Sequence, residues 1–169
     1  MFALMHSTRL ESLHLSVDPV TGLKAIIAIH NSRLGPALGG CRYLAYPNDE
    51  TAVADAARLA QGMSYKAALA GLSVGGGTAV IIRPVHVESR AALFEAFGRC
   101  VEKLDGRFIT SIDSGTSVAD MDCIAQNTRF VTSTTAAGDP APHAAMGVFA
   151  GIRTTAMARL GSDNLEGLR

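Results

Sequence analysis

Two periods alternate along the chain. Leu13, Leu15 and Val17 are interleaved with Ser12, His14 and Ser16, the two-residue repeat of a strand with one buried face. Asp18-Pro19 and Thr21-Gly22 mark a turn, and the apolar, β-branched run Lys24 to His30 predicts a hairpin partner. Leu34 to Arg42 reads as a short glycine-rich loop. From Asn48-Asp49-Glu50 the period lengthens. Asn or Asp can cap a helix there, acids suit its positive end, and Val53, Ala56, Ala57, Leu59, Ala60 and Met63 form its apolar stripe. Gly75-Gly76-Gly77 leads into a buried strand, Ala79 to Ile82, ended by Pro84. Leu93, Phe94, Phe97, Val101 and Leu104 then fall at helical spacing, and Phe108-Ile109-Thr110 reads as a strand. Ser117-x-x-Asp120 has the form of a capping box opening a short helix through Ile124. A last helix carries Met146, Phe149, Ile152 and Met157 and stops at Gly161. The Met and Phe positions on these stripes read as core. Strands alternating with helices predict an α/β fold, a mixed sheet flanked by helices.

Composition narrows the function. A length of 169 residues predicts one domain or slightly more and suffices to bury a core. With 48% hydrophobic and 18% charged residues, the chain is globular rather than disordered. Fifteen Lys+Arg balance fifteen Asp+Glu, which leaves no electrostatic footprint for nucleic acid or an anionic membrane. No apolar run approaches the roughly 20 residues that span a bilayer. The opening Met1 to Ser7 has neither a basic n-region nor a small-residue cleavage site, so no signal peptide and a cytoplasmic location are expected. Cys41, Cys100 and Cys123 are odd in number and far apart, unlike a disulfide framework or a zinc site. They read as reduced thiols, Cys41 as a packed one, with a catalytic thiol as its alternative. His6, His14, His30, His86 and His143 show no metal-binding spacing.

Four segments could carry chemistry. In Gly35 to Arg42, the adjacent glycines Gly39 and Gly40 let backbone approach a ligand, or simply make a tight turn. Lys66, in the Ala- and Met-rich stretch Gly62 to Ala68, either pairs with a carboxylate or is an exposed helix lysine. Gly75-Gly76-Gly77-Thr78 could form an anion-binding nest but lacks phosphate-loop spacing. Asp113 follows a strand, where an acid can move a proton or cap a turn. No G-x-G-x-x-G unit of strand, turn and helix occurs, and the ending Asn164 to Arg169 reads as a cut at a domain boundary.

Taken together, GPALGGCR (35–42), DAARLAQGMSYKAALAGL (55–72), GGGTAVII (75–82), GRFITSIDSGTSVADMD (106–122) and DNLEG (163–167) resemble the Glu/Leu/Phe/Val dehydrogenase family. The likeness covers nearly the whole chain and looks closest to the leucine and phenylalanine dehydrogenase branch. It implies that residues 1–169 are an N-terminal substrate-binding and dimerisation domain, whose following Rossmann domain is absent from this chain. The implied reaction is reversible oxidative deamination of an L-amino acid to the 2-oxo acid and ammonia. NAD is its hydride acceptor, held mainly by the missing domain and not expected on this chain. A homo-oligomer is also implied.

By position, the resemblance assigns Lys66 to the substrate α-carboxylate and Asp113 to acid/base chemistry, with Gly39, Gly40 and Met63 lining the cleft. Leu38 stands where glutamate-specific members place a lysine, which favours an apolar side chain such as leucine, valine or phenylalanine. Ser111 stands where small apolar residues shape the same pocket. Two positions depart from the pattern. Thr78 replaces the catalytic lysine of the family's GGGK motif, and Ala144 replaces a threonine facing the nicotinamide. The loop Thr134 to Pro142 also looks shortened. A hydroxyl neutral near pH 7 replaces neither an amine base nor an ammonium, and such groups contribute ~10²–10⁴-fold. The expectation is therefore an impaired enzyme domain, inactive as an isolated chain. The alternative is a non-catalytic small-molecule-binding or regulatory oligomerisation module descended from the family, and a lesser one is an altered enzyme.

Overall fold

The computed structural model describes residues 1–168 and divides into two compact units, Met1–Ala137 and Gly138–Arg169. The first unit begins with a short helix α1 (Phe2–Thr8) and a hairpin of β1 (Ser12–Asp18) and β2 (Leu23–Asn31). Then follow β3 (Ala37–Leu44), α2 (Asp49–Leu69), β4 (Gly75–Ile82), α3 (Arg90–Glu102), β5 (Phe108–Ile112) and α4 (Val118–Ala125). The second unit holds α5 (Ala141–Leu160). The strands form one mixed sheet in the order β1-β2-β4-β3-β5. β2 runs antiparallel to both of its neighbours, β1 and β4, whereas β3 runs parallel to both β4 and β5. The α/β class and mixed sheet predicted from the alternation are what the chain forms.

Each face of the sheet carries its own core. Alternate residues of a strand point to opposite faces. Ile27 and Ile29 of β2 and Ala79 and Ile81 of β4 therefore pack with Leu93, Phe94 and Phe97 of α3 and Met121 and Ile124 of α4. Ile26, Ala28 and Val80 face the other way, onto Ala52, Val53, Ala56, Ala57 and Ala60 of α2. The small alanine stripe lets α2 lie close to the sheet. At its C-terminal end the approach is closer still: a Cβ on Gly76 would stand 2.1 Å from the Ser64 backbone nitrogen. The caps are the predicted ones, with Asn48 accepting from the Thr51 N–H and Ser117 and Asp120 forming a reciprocal box.

Several expectations are corrected. The helix α1 had no counterpart in the sequence reading. The glycine-rich run Leu34 to Arg42 is mostly strand, since β3 occupies Ala37–Leu44 between two parallel neighbours. Gly75, Gly76 and Gly77 also lie within a strand, and none has positive φ, so they form no anion-binding nest. Leu15 and Val17 are 58% and 70% exposed, because β1 is an edge strand outside the reach of α2. Met146, Phe149, Ile152 and Met157 are not core: all are about half exposed or more, from 48% to 69%, on a helix whose unit contains no other regular element. Among the described residues, no helix is long and apolar enough to cross a membrane.

Candidate functional site

The strand period places the candidate residues on one face. Cys41 and Tyr43 of β3 belong to the core beneath α3, so Leu38, Gly40 and Arg42 turn to the α2 side of the sheet. On β4 the same parity turns Gly76 and Thr78 to that side, and on β5 Phe108 points to α3 while Ser111 points away. Register then sets two adjacent rows. Leu38 pairs with Gly76, on which Ser64 of α2 rests. One step along the strands, the buried Thr78 donates its hydroxyl to the Gly40 carbonyl at 3.1 Å, and Gly40 pairs with Ser111.

Asp113 follows at the carboxyl end of β5. A Cβ on Gly40 would lie 2.6 Å from the Asp113 Cβ, so only glycine leaves room for that carboxylate; likewise a Cβ on Gly39 would lie 1.7 Å from the Gly77 carbonyl oxygen. The turn bearing Asp113 is stapled by Thr116, whose hydroxyl accepts from the Asp113 N–H at 2.9 Å and lies 3.0 Å from the Cys41 carbonyl. Ser111 shares a hydrogen bond of 2.8 Å with Ser133.

Met63 and Lys66 come from the C-terminal turns of α2. Met63 is half-buried, whereas Lys66 is exposed and forms no ion pair among the described residues. Its ammonium suits the negative end of the helix. This turn is anchored by Ser64, 2.8 Å from Nδ1 of the half-buried His30, whose Nε2 is buried without a partner. Burial, and secondarily the charge of Arg9, lowers the pKa of that imidazole. Ala144 lies on α5, in the second unit, and is exposed there.

A set of charged residues that no sequence motif singles out also lies in this site. Arg42 donates from Nε to Asp113 at 3.2 Å and from a terminal nitrogen to Asp55 at 2.9 Å. Asp55 also accepts from the Tyr46 hydroxyl at 2.8 Å and from Arg58 at 2.7 Å. Partial burial works against the charge of Asp55, but the hydrogen bonds from Arg58, Tyr46 and Arg42 outweigh it and hold its pKa below the usual carboxylate value. Arg42 and Asp55 both stood inside the motifs. Reading residues 34–42 as a loop concealed that Arg42, two positions beyond Gly40, shares its face. Cys41 is fully buried, and burial together with Asp113 and Asp120 pushes its thiol well above the ordinary range, which removes it as a thiolate nucleophile at neutral pH.

Comparison with known proteins gives the family and the fold. Residues 9–130 match the family model described as Glu/Leu/Phe/Val dehydrogenase, dimerisation domain. The leucine dehydrogenase of Geobacillus stearothermophilus is 47% identical over 171 residues, covering 99% of this chain and 47% of that protein. The valine dehydrogenase of Streptomyces virginiae is 48% identical over 162 residues, covering 93% and 45%. Among solved structures, L-tryptophan dehydrogenase from Nostoc punctiforme is similar with a TM-score of 0.76 at 40% identity, over 99% of this chain and 47% of that one. A hetero-hexameric glutamate dehydrogenase from Thermus thermophilus shares the fold, with a TM-score of 0.72 at 22% identity over 94% and 42%. The chain thus spans about half the length of the curated relatives it matches. It belongs to the Glu/Leu/Phe/Val dehydrogenase family, through that family's dimerisation domain.

Proposed function

We propose that this chain is the substrate-side and dimerisation domain of a cytoplasmic, homo-oligomeric, NAD-dependent L-amino acid dehydrogenase for an apolar side chain, impaired in its chemistry and inactive alone. The observation that carries this reading is that Gly40, Thr78 and Ser111 share the sheet face covered by α2, with Asp113 following at the carboxyl end of β5 and Lys66 in the last turns of that helix. In this reading Lys66 binds the substrate α-carboxylate as a point charge. Gly39 and Gly40 give the substrate backbone-lined space, and Leu38, Met63 and Ser111 surround its side chain. Asp113, aimed by Arg42, carries a proton to or from the reacting carbon's substituents. NAD would accept the hydride. The residues described here do not fit that group: the glycine runs lie in extended strands, and no strand–turn–helix unit with G-x-G-x-x-G occurs among them. Ala144 takes the position assigned to the nicotinamide contact and offers only a methyl group.

A second reading rests on Thr78. Its hydroxyl is buried and already donates to Gly40, so this position supplies no cation and no free base. That favours a binding or regulatory module that keeps the cleft without the redox chemistry.

Calorimetry and a coupled assay separate the readings. The chain is expected to bind L-leucine or 4-methyl-2-oxopentanoate, with binding lost in Lys66→Ala, and to oxidise no NADH with that oxo acid and ammonia. Measurable turnover by the isolated chain would contradict its inactivity. Joined to the nucleotide-binding half of a leucine dehydrogenase, Thr78→Lys should raise turnover roughly 100-fold or more. No gain would favour the binding module.

A further inference from the structure

We infer that the chain carries a second binding site, for a small oxyanion borne on an apolar body, in the crevice at the carboxyl ends of β3 and β4. These two strands are parallel neighbours, yet their exits diverge: β3 leads into α2 on one face, and β4 leads into α3 on the other. Where adjacent parallel strands send their connections to opposite faces, the loops part and leave a crevice, the usual binding place of open α/β sheets. Here that crevice is a cavity of about 610 Å³, within the range of small-molecule sites. None of its lining residues belongs to the amino acid site proposed above, so the inference stands independently of that reading.

The lining chemistry specifies the ligand. Arg83 leaves β4 into this cavity, is exposed, and has no side-chain hydrogen bond or ion pair among the described residues. Arg90, opening α3, is preorganised. Its Nε and Nη2 fork onto Asp120 at 2.7 and 2.8 Å, Nη2 also donates to the Gly115 carbonyl at 2.7 Å, and its guanidinium lies 4.6 Å from the Tyr43 ring centre and 5.0 Å from that of Phe94. These contacts leave Nη1 of Arg90 without a protein acceptor among the described residues. A held guanidinium with free donors, beside a second one that is unpaired among the described residues, suits a carboxylate or a phosphate. Leu44, Pro84 and Val85 supply apolar wall for the rest of the ligand.

The test uses the chain as it stands, with benzoate and phenyl phosphate as calorimetric probes. Saturable binding of at least one is expected, weakened roughly tenfold by Arg83→Gln and unchanged by Lys66→Ala. Binding of phenyl phosphate alone identifies a phosphate site, of benzoate alone a carboxylate site, and of both a general oxyanion site. Arg83 has no side-chain partner to lose, and circular dichroism verifies that its variant is folded. The absence of saturable binding, a loss smaller than about fivefold in Arg83→Gln, or an equal loss in Lys66→Ala overturns the inference.

Discussion

Arg42 divides one guanidinium between two carboxylates, Asp113 at the candidate site and Asp55 on α2, and Tyr46 and Arg58 brace the second of these. The orientation of Asp113 is thus coupled to a phenol with its own titration. Burial first, and then the hydrogen bond to Asp55 and that carboxylate's charge, push the Tyr46 hydroxyl from its ordinary 10.0 up to about 12, with Arg42 pulling the other way. A proton held more tightly by the folded chain stabilises it fully below pH 10, and that contribution disappears as pH rises through about 12. Tyr46→Phe should therefore flatten the fall in stability between those values and cost about 1 kcal/mol at neutral pH for the lost hydrogen bond. Urea unfolding at pH 7 and pH 11 measures both effects, and an unchanged alkaline slope would contradict this arrangement. Lys66 stood out in the sequence because charge is rare in the Ala- and Met-rich stretch Gly62 to Ala68, and Asp113 because it follows a strand. Arg42 did not, because its partner lies 71 positions away.

At the scale of elements, contact distance governs the glycines. Adding a methyl group at position 76 drives it into Ser64, so Gly76→Ala should separate the end of α2 from β4 and cost roughly 3 kcal/mol. Gly62, two positions before Ser64 on the same helix, has nothing within 4 Å of its would-be Cβ. Gly62→Ala should accordingly stabilise the chain by about 0.5–1 kcal/mol through helix propensity alone. Opposite shifts in thermal midpoint check the pair, and shifts of the same sign would refute the packing. Helices α2, α3 and α4 were legible because their stripes and caps are local. The strands at residues 37–44 and 75–77 were not, since glycine is a poor strand former by itself. Its presence there answers to neighbouring backbone that only the assembled sheet brings near.

At the scale of the molecule, both apolar cores lie wholly within Met1–Ala137. A chain ending at residue 137 should therefore keep a cooperative thermal transition, with its midpoint within roughly 5 °C of the intact chain. A broad, non-cooperative melt would show that the cores depend on residues 138–169. The same partition explains the misread stripe of α5. Helical spacing of Met146, Phe149, Ile152 and Met157 records an apolar helix, but spacing is silent about whether another element covers it.

Periodicity, caps and turn residues act over a few positions, so the chain's order alone was enough for the α/β class, the existence of helices α2 to α5 and the family likeness. Strand order, face and register join residues tens of positions apart and depend on how whole elements pack. Folding therefore decided that Thr78 binds Gly40, that Arg42 reaches Asp113, and that Arg83 and Arg90 border one crevice.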